Sequence, residues 1–331
     1  MKNIAQIGCG YWGPNLLRNF DANKRCCVKT LADFSEERRQ FVSDRFPGVN
    51  VVDNVEAVFD DPEIDAVIVA TPAGTHFDLA KRAIQSGKHV FVEKPLATLV
   101  AEVDELERLS KEQNVVVFVG HTFLYNAAVR HIKGLIDSGE LGDIRYIYSR
   151  RLNLGRIRED IDAWWNLAPH DVSIVQYWLD DAMPDSVTRN GMHFVQKGID
   201  DVVFVNASYP RNVMVNIHVS WLDPYKTREM VIVGSKKMVV YDDTADHKVA
   251  IYDKGIDVKA VLGENMDYDQ RGPLQVSYRS GEVFMPDIKF IEPLKEETSH
   301  FIDCICDGIE PITGISHARE VVRILELGSR K

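Results

Sequence analysis

The sequence predicts an α/β domain followed by an α+β domain. Short β-rich runs alternate with segments of helical periodicity in the first part of the chain. After about residue 121, longer runs alternate strictly between apolar and polar residues. A chain of 331 residues is long enough to form two domains with separate cores. We therefore predict one domain over residues 1–120 and a second over residues 121–331.

The first domain is predicted to contain a parallel sheet covered by helices. Its β-rich runs fall at about residues 4–8, 28–33, 66–70, 89–93 and 115–119. Strands that alternate with helices in this way form parallel sheets with crossover connections. The segment Thr98–Gln113 is the clearest helix, because its apolar residues recur on one side, and Thr98 is its candidate N-cap.

The second domain is predicted to hold a large, mostly antiparallel open sheet. In the run Val213–Trp221 every second residue is apolar, which places one face of a strand in a core. Similar strands are expected near 145–151, 202–209, 229–234 and 237–241, and an amphipathic helix near Ser316–Leu327. Because an exposed sheet face needs cover, we expect a homo-oligomer, a dimer or a tetramer, that forms through this sheet.

The composition favours a cytoplasmic protein without a nucleic-acid or membrane partner. Acidic residues outnumber basic ones by 50 to 39, with no basic stripe to bind nucleic acid. No apolar run approaches the roughly 20 residues that a membrane span needs. Five cysteines, an odd number, and the lack of a recognisable leader favour reduced thiols. Neither Cys26 and Cys27 nor Cys304 and Cys306 have the spacing of a metal site, and we expect no metal.

A glycine-rich loop predicts a dinucleotide site of the Rossmann type. Gly8, Gly10 and Gly13 follow the first strand and open a helix. Gly8 permits the tight turn, Gly10 lets a pyrophosphate approach the backbone, and Gly13 allows close packing. The first domain is therefore expected to be a Rossmann domain.

Asp33 predicts a preference for NAD. It ends the second strand, where a carboxylate binds the ribose hydroxyls and repels a 2′-phosphate. Arg38 and Arg39 follow closely, however, and leave NADP as an alternative.

Two further motifs resemble those of a known family. Ala70–His76 contains Thr-Pro after a strand, and Gly87–Pro95 ends in Glu-Lys-Pro. Together with the glycine loop they resemble the glucose-fructose oxidoreductase and inositol dehydrogenase family, also called the Gfo/Idh/MocA family, over essentially the whole chain. The stretches Gly10–Asn15, Gly120–Asn126 and Trp165–Asp171 resemble those of nucleotide-sugar 3-dehydrogenases, such as UDP-N-acetylglucosaminuronate 3-dehydrogenases.

The resemblance implies which residues meet the cofactor and the substrate. Lys94 is expected beside the nicotinamide, hydrogen-bonded to the reacting sugar oxygen, where an ammonium stabilises an alkoxide. The expected cofactor contacts are Gly8, Gly10, Tyr11, Trp12, Gly13, Asp33, Thr71, Pro72, His76, Glu93 and Lys94. The substrate is expected to meet His121, Tyr125, Asn126 and Trp165.

Proton transfer is assigned to a pair of residues on one helix. Family members commonly carry an aspartate four residues before a histidine, whereas this chain has Asn166 before His170. Asparagine orients a hydroxyl but cannot exchange a proton at neutral pH. His170 and Lys94 are therefore expected to share the acid-base work; a structural His170 is the alternative. Pro169 is expected at the start of its helix, where N–H groups lack partners.

A basic segment predicts anion recognition. Arg150, Arg151, Arg156 and Arg158 precede the helix of Trp165, and arginine forks suit diphosphates and carboxylates. The substrate is expected to meet Arg151, Arg156 and Arg158, although a solvated basic loop is the alternative. Six other histidines are expected at the surface or in strands, namely His131, His193, His218, His247, His300 and His317.

Together these features predict hydride transfer between NAD and a secondary alcohol of a sugar, at the 3-position of a nucleotide-linked sugar. Two alternatives stay open. One is a dehydrogenase of a free polyol or monosaccharide, such as an inositol, and the other is a non-catalytic NAD-sensing protein.

Overall fold

The computed structural model describes residues 1–259 and 275–329. Contacts divide the chain into two compact units. The first unit comprises Met1–Ala127, Trp164–Met183 and Phe290–Lys331, and the second comprises Ala128–Ala163 and Pro184–Lys289. The first unit therefore includes three stretches from the part of the chain after residue 120, namely 121–127, Trp164–Met183 and Phe290–Lys331.

The described residues form fourteen strands and nine α-helices. The strands are β1 (Lys2–Ile7), β2 (Cys26–Ala32), β3 (Asn50–Val52), β4 (Ala66–Val69), β5 (His89–Glu93), β6 (Val117–Gly120), β7 (Ile144–Leu152), β8 (Ser186–Met192), β9 (Val202–Tyr209), β10 (Val213–Ser220), β11 (Thr227–Gly234), β12 (Met238–Asp242), β13 (Val249–Lys259) and β14 (Gln275–Phe284). The helices are α1 (Gly13–Asp21), α2 (Glu36–Arg45), α3 (Glu56–Phe59), α4 (His76–Gln85), α5 (Val100–Gln113), α6 (Ala127–Asp137), α7 (Ala163–Trp178), α8 (Pro293–Asp307) and α9 (Ile315–Leu327).

The first unit is built around a six-stranded parallel sheet of order β3-β2-β1-β4-β5-β6. The parallel sheet predicted for this part of the chain is confirmed. The strand order reverses between β1 and β4, and ligands of such sheets bind outside the carboxyl ends of the strands at that point. The strand β3 was not anticipated, because three residues are too few for a periodic pattern.

Aromatic rings join the sheet of the first unit to a helix from the end of the chain. Phe301 on α8 packs against Phe91 on β5 and Phe118 on β6, with ring centroids 5.7 and 5.4 Å apart. Phe20 on α1 meets the same ring at 6.1 Å. Burial of such rings contributes to the core in proportion to the apolar area removed from water. The segment 290–329 is thus an integral part of the core of this unit.

The start of α5 differs from the prediction. Leu99, not Thr98, is the N-cap residue, and its side chain has no oxygen to offer. The carboxylate of Glu102 reaches back instead, and accepts hydrogen bonds from the backbone N–H groups of Thr98 and Leu99 at 3.1 and 3.2 Å. An acidic residue in the first turn thus replaces the expected cap.

The second unit contains an eight-stranded sheet of order β14-β13-β12-β11-β7-β10-β9-β8. Only β7 and β10 run parallel; the other neighbours are antiparallel. Val215, Ile217 and Val219 on β10 are buried as their alternation predicts, whereas Phe204 and Met214 are exposed on the opposite face. The mostly antiparallel sheet is therefore confirmed. Three of its strands, β8, β13 and β14, lack a clear apolar alternation and were not predicted.

Candidate active site

The glycine loop has the shape that a bound diphosphate requires. Gly8 has a φ of +91°, and a Cβ at this position would lie 2.7 Å from the carbonyl oxygen of Ala70. A Cβ at Gly13 would lie 2.9 Å from the carbonyl oxygen of Gly8. A Cβ at Gly10 would meet no atom within 4 Å. Gly8 and Gly13 are therefore needed for the fold of the loop, whereas the space above Gly10 is open.

The N-terminus of α1 fits an anion. The N-cap residue Trp12 forms no side-chain cap, and the first turn holds no acidic residue. The N–H groups of a first turn have no partners within their helix, and their dipoles favour negative charge. Tyr11 is 88% exposed and Trp12 is 40% exposed at the same place. These groups suit the diphosphate of a dinucleotide.

Asp33 closes the loop from the end of β2. Its carboxylate accepts hydrogen bonds from the N–H of Cys9 at 2.6 Å and from the N–H of Ser35 at 2.8 Å. Burial and the charge of Asp33 raise the pKa of the Cys9 thiol to about 11, against a lowering by Arg38. The guanidinium of Arg39 donates to the carbonyl oxygens of Asp33 and Phe34. The loop therefore has one carboxylate at the ribose position predicted for NAD, with two arginines following it.

His76 holds the loop that follows β4. It is buried, and its ring nitrogens lie 2.7 Å from the carbonyl oxygen of Pro95 and 2.8 Å from that of Thr71. Burial lowers the pKa of this imidazole. Thr75 donates to the carbonyl of Pro72 and lies 2.7 Å from the hydroxyl of Thr71. These contacts place His76 behind the predicted cofactor loop as a positioning group.

Lys94 contacts the backbone of α7. It follows directly after β5, and its Nζ donates a hydrogen bond to the carbonyl oxygen of Asn166 at 3.1 Å. Asn166 and His170 lie one turn apart on this helix. The ring of His170 packs against Phe123, with centroids 5.0 Å apart. Of the three predicted catalytic residues, Lys94 therefore meets Asn166 through its backbone, and His170 lies one turn further along the same helix.

Pro169 lies inside α7, not at its start. The helix begins at Ala163, so the expectation of an early proline is wrong. Proline has no backbone N–H to donate within a helix. In the turn before it, the Asn166 carbonyl accepts a hydrogen bond from Lys94 Nζ.

Two carboxyl groups, those of Glu93 and Glu297, lie close enough to interact electrostatically, and Glu93 directly precedes Lys94. Burial raises the pKa of Glu93 to about 7, although Lys94 and Trp12 lower it. Glu297, on α8, is fully buried, and burial together with Glu93 raises its pKa well above the usual value. Thr122 donates to Glu297 Oε2 at 2.7 Å. In each carboxyl group, Oε1 has no hydrogen-bond partner among the described residues.

Most of the predicted substrate residues of the first unit are packed in its interior. His121, Tyr125 and Asn126 are 1%, 2% and 3% exposed. The Tyr125 hydroxyl lies 2.9 Å from His300 Nδ1, and the Trp165 indole donates to Ser329 Oγ at 2.9 Å. Their contacts with substrate stay a prediction.

The predicted arginines belong to the second unit. Arg150 pairs with Glu229, and Arg158 pairs with Asp160 through two hydrogen bonds of 2.8 and 2.6 Å. Arg151 is buried. Arg156 is exposed, and it forms no ion pair with any described residue. Arg156 therefore has the guanidinium that is most available to an anion.

Sequence reasoning missed Glu297 and misplaced His317. Glu297 occurs in a run of charged residues typical of an exposed helix face, yet it is buried. His317 was expected at the surface or in a strand, but it is buried on α9. Its place in an apolar helical pattern was the available signal. The three cysteines Cys9, Cys26 and Cys304 are buried, and Cys27 and Cys306 are exposed; all five are free thiols.

Within residues 1–259 and 275–329, no group of three or more His, Cys, Asp or Glu side chains is placed to hold a metal ion. No helix in the same residues is both long enough and apolar enough to span a membrane.

A parallel sheet with this strand order, glycine loop and anion-ready helix defines a dinucleotide-binding protein, and Lys94 at the strand ends adds a reactive cation. Two family profiles match the chain. Residues 2–121 match the Gfo/Idh/MocA oxidoreductase family, NAD-binding Rossmann fold, and residues 129–240 match a C-terminal domain of the same family. The chain therefore belongs to the Gfo/Idh/MocA family of oxidoreductases.

Individual relatives are distant. An uncharacterised oxidoreductase of Streptococcus pneumoniae is 29% identical over 73% of this chain and 69% of its own length. The scyllo-inositol 2-dehydrogenase (NADP⁺) of Bacillus subtilis is 35% identical over 41% of this chain and 37% of its own length. A UDP-N-acetylglucosamine 3-dehydrogenase of Acidithiobacillus ferrooxidans has a similar fold, with a TM-score of 0.78, 22% identity, and coverage of 98% of this chain and 95% of its own. Two further curated relatives are matched over 62% and 60% of their lengths.

Proposed function

We propose that the chain is a dehydrogenase that transfers a hydride between NAD and a secondary alcohol or ketone of a sugar, at the 3-position of a nucleotide-linked sugar. The observation that carries this proposal is the position of Lys94. Lys94 directly follows β5, and its ammonium group contacts α7 at Asn166, which lies one helical turn before His170. Family membership supports hydride chemistry at this place.

The residues that would hold the cofactor follow the carboxyl ends of β1, β2 and β4. The open space at Gly10 and the uncapped start of α1 suit the diphosphate, and Asp33 suits the ribose hydroxyls. Thr71 and Pro72 would border the nicotinamide, with His76 fixing their loop. When bound, the nicotinamide supplies a two-electron hydride acceptor.

Lys94 and His170 would handle the substrate oxygen and its proton. An ammonium group stabilises the negative charge that develops on this oxygen as the hydride leaves. The imidazole of His170 would accept the hydroxyl proton during oxidation and return it during reduction. Asn166 would orient the hydroxyl through its amide.

Asp33 underlies the choice of NAD over NADP. A carboxylate next to a 2′-phosphate is unfavourable unless a cation intervenes. Calorimetric titration of the purified protein with both cofactors tests this step, with Asp33→Asn as the variant. We expect tighter NAD binding in the natural protein and a smaller difference in the variant. Tighter NADP binding in the natural protein would assign the 2′-phosphate to Arg38.

The nucleotide-linked sugar is supported by two observations. Arg156 is exposed without an ion pair in the described part of the chain, as a diphosphate ligand should be. A protein of similar fold is named as a UDP-N-acetylglucosamine 3-dehydrogenase. A free polyol is the second candidate, because a shorter match is to a scyllo-inositol dehydrogenase.

Reduction of the cofactor with a matched panel of substrates tests the proposal. UDP-linked N-acetylhexosamines and uronates are compared with the free sugars and with inositols. Reduction with nucleotide sugars alone, and loss of that selectivity in Arg156→Ala, supports the proposed class. Equal activity with free inositol would favour the polyol dehydrogenase. No reduction with any member would favour an NAD-sensing protein.

The same proposal includes a cytoplasmic homo-oligomer. The exposed side chains Tyr146, Phe204 and Met214 lie on the sheet of the second unit. Large exposed apolar side chains on one sheet favour association. Light scattering gives the mass in solution, and a monomer at micromolar concentration would contradict this part.

A further inference from the structure

A buried histidine lies beside the carboxyl end from which Lys94 emerges. Glu93 pairs with Gly120 in the register of β5 and β6, so Lys94 and His121 follow their strands side by side. His121 is 1% exposed, and its Nδ1 has no hydrogen-bond partner among the described residues. Burial keeps its pKa well below the usual value, and His317 and Lys94 lower it further. His121 is therefore neutral at rest.

A second histidine, His317, lies between His121 and a partly exposed aspartate. The ring of His317 meets that of His121 edge to face, with centroids 5.4 Å apart and an interplanar angle of 85°. His317 Nδ1 lies 2.7 Å from Asp181 Oδ1, while its buried Nε2 has no partner in the described part of the chain. The Asp181 side chain is 41% exposed. Three titratable groups therefore run from the neighbour of Lys94 to the surface.

Two buried ring nitrogens, His121 Nδ1 and His317 Nε2, have no hydrogen-bond partner among the described residues. Burial without a partner is unfavourable for a polar atom. A neutral imidazole carries one proton and one lone pair, so two adjacent rings can pass a proton directly or through one water. Asp181 then orients His317, as a carboxylate orients the imidazole in other proton-transfer sites.

We propose that His121, His317 and Asp181 form a proton route between the Lys94 side of the reaction centre and solvent; this inference rests on the proposed dehydrogenase function. In the oxidative direction, Lys94 gives one ammonium proton to His121 and takes up in its place the proton released by the substrate hydroxyl, as a second path beside His170. His121 releases the proton on its other ring nitrogen to His317 Nε2. His317 passes its Nδ1 proton to Asp181, which releases it to water. Each ring is then neutral in its other tautomer, a ring flip restores the starting tautomer, and the reverse order serves reduction.

Exchange of the His121 ring proton with water tests the route without substrate. In the ¹⁵N-histidine-labelled full chain, we expect this buried proton to exchange rapidly with solvent, as measured by NMR. His317→Gln and Asp181→Asn should each slow the exchange by about tenfold or more, because glutamine and asparagine cannot relay a proton. His193→Gln is the matched control, since His193 lies 3.5 Å from Asp200 in the second unit and forms another histidine–carboxylate pair. Slow exchange in the natural protein, or equal exchange in all variants, would overturn the route.

Turnover tests whether the route serves the reaction. With a substrate in hand, His317→Gln should lower kcat more than it changes KM and should raise the solvent isotope effect. Free imidazole should restore part of kcat in His317→Ala. Unchanged kcat together with rapid wild-type exchange would show that the protons do not leave by this route. If no sugar supports NAD reduction, the proposed function is refuted. The exchange result still decides whether the relay exists.

Discussion

The ammonium group of Lys94 donates to the main-chain carbonyl of Asn166. A main-chain carbonyl is present whichever side chain occupies position 166. An aspartate there would leave the same acceptor for the lysine. Asparagine and aspartate differ in their charge and in their ability to exchange a proton.

Lys94→Ala is expected to separate binding from turnover. Its contact with the substrate oxygen strengthens as charge develops, so its loss should lower kcat by about 10²–10³-fold. NAD affinity should change little, because the diphosphate is held elsewhere. Calorimetry and steady-state kinetics measure the two quantities, with the exposed Lys111→Ala as a control. Near-normal turnover would remove Lys94 from the chemistry.

His170→Ala is expected to be far more damaging than Asn166→Ala. Oxidation should rise with pH as the His170 imidazole loses its proton. A carboxylate one turn away in Asn166→Asp favours imidazolium, raises the pKa of His170, and moves that limb of the profile to higher pH. The pH dependence of kcat/KM decides the matter. An unshifted profile in Asn166→Asp, or full activity in His170→Ala, would end the assignment.

Gly8→Ala and Gly10→Ala should fail in different ways. The first forces a side chain into a φ of +91° and against the Ala70 carbonyl, and should cost about 1–3 kcal/mol of unfolding free energy. The second meets no protein atom, so stability should be nearly unchanged while NAD binding weakens. Thermal unfolding and NAD titration of both variants measure this contrast. Equal stability of the two proteins would contradict it.

Glu297→Gln should flatten the pH dependence of stability. The folded-state pKa of Glu297 lies above its unfolded value, so the folded chain retains a proton that the unfolded chain has lost. Stability therefore falls as the pH rises from about 4.5 toward the folded pKa, by at most about 1.4 kcal/mol per pH unit for one proton. The variant lacks this titration and should lose less stability between about pH 5 and 7. Denaturant unfolding measures it, and Glu296→Gln on the same helix should behave like the natural protein.

The sequence was sufficient for the parts of the fold that repeat locally. Full burial explains the apolar runs of β1, β4 and β5. A period of two residues explains the alternation of β10. The glycine spacing predicted the loop. At Gly8, φ is +91° and a Cβ would lie 2.7 Å from the carbonyl oxygen of Ala70, which leaves room only for glycine.

Contacts between residues that are far apart in the sequence could not be predicted from local patterns. Glu297 is buried beside Thr122 and Glu93, which are far away in the sequence. Lys94 likewise contacts the backbone of Asn166, 72 residues later. The edge strand β8 has apolar side chains only at Val187 and Met192, which are five residues apart and therefore do not fit a period of two.

The core of the first unit has a consequence for protein synthesis. Phe91 and Phe118 emerge from the ribosome long before Phe301, the ring that covers them. A nascent chain that has completed all six parallel strands therefore still exposes these rings, and such intermediates are prone to aggregation. A fragment ending at Ala127 would carry the same apolar surface permanently. We expect the fragment to remain soluble and to bind nucleotide when residues 290–329 are joined to it or coexpressed with it.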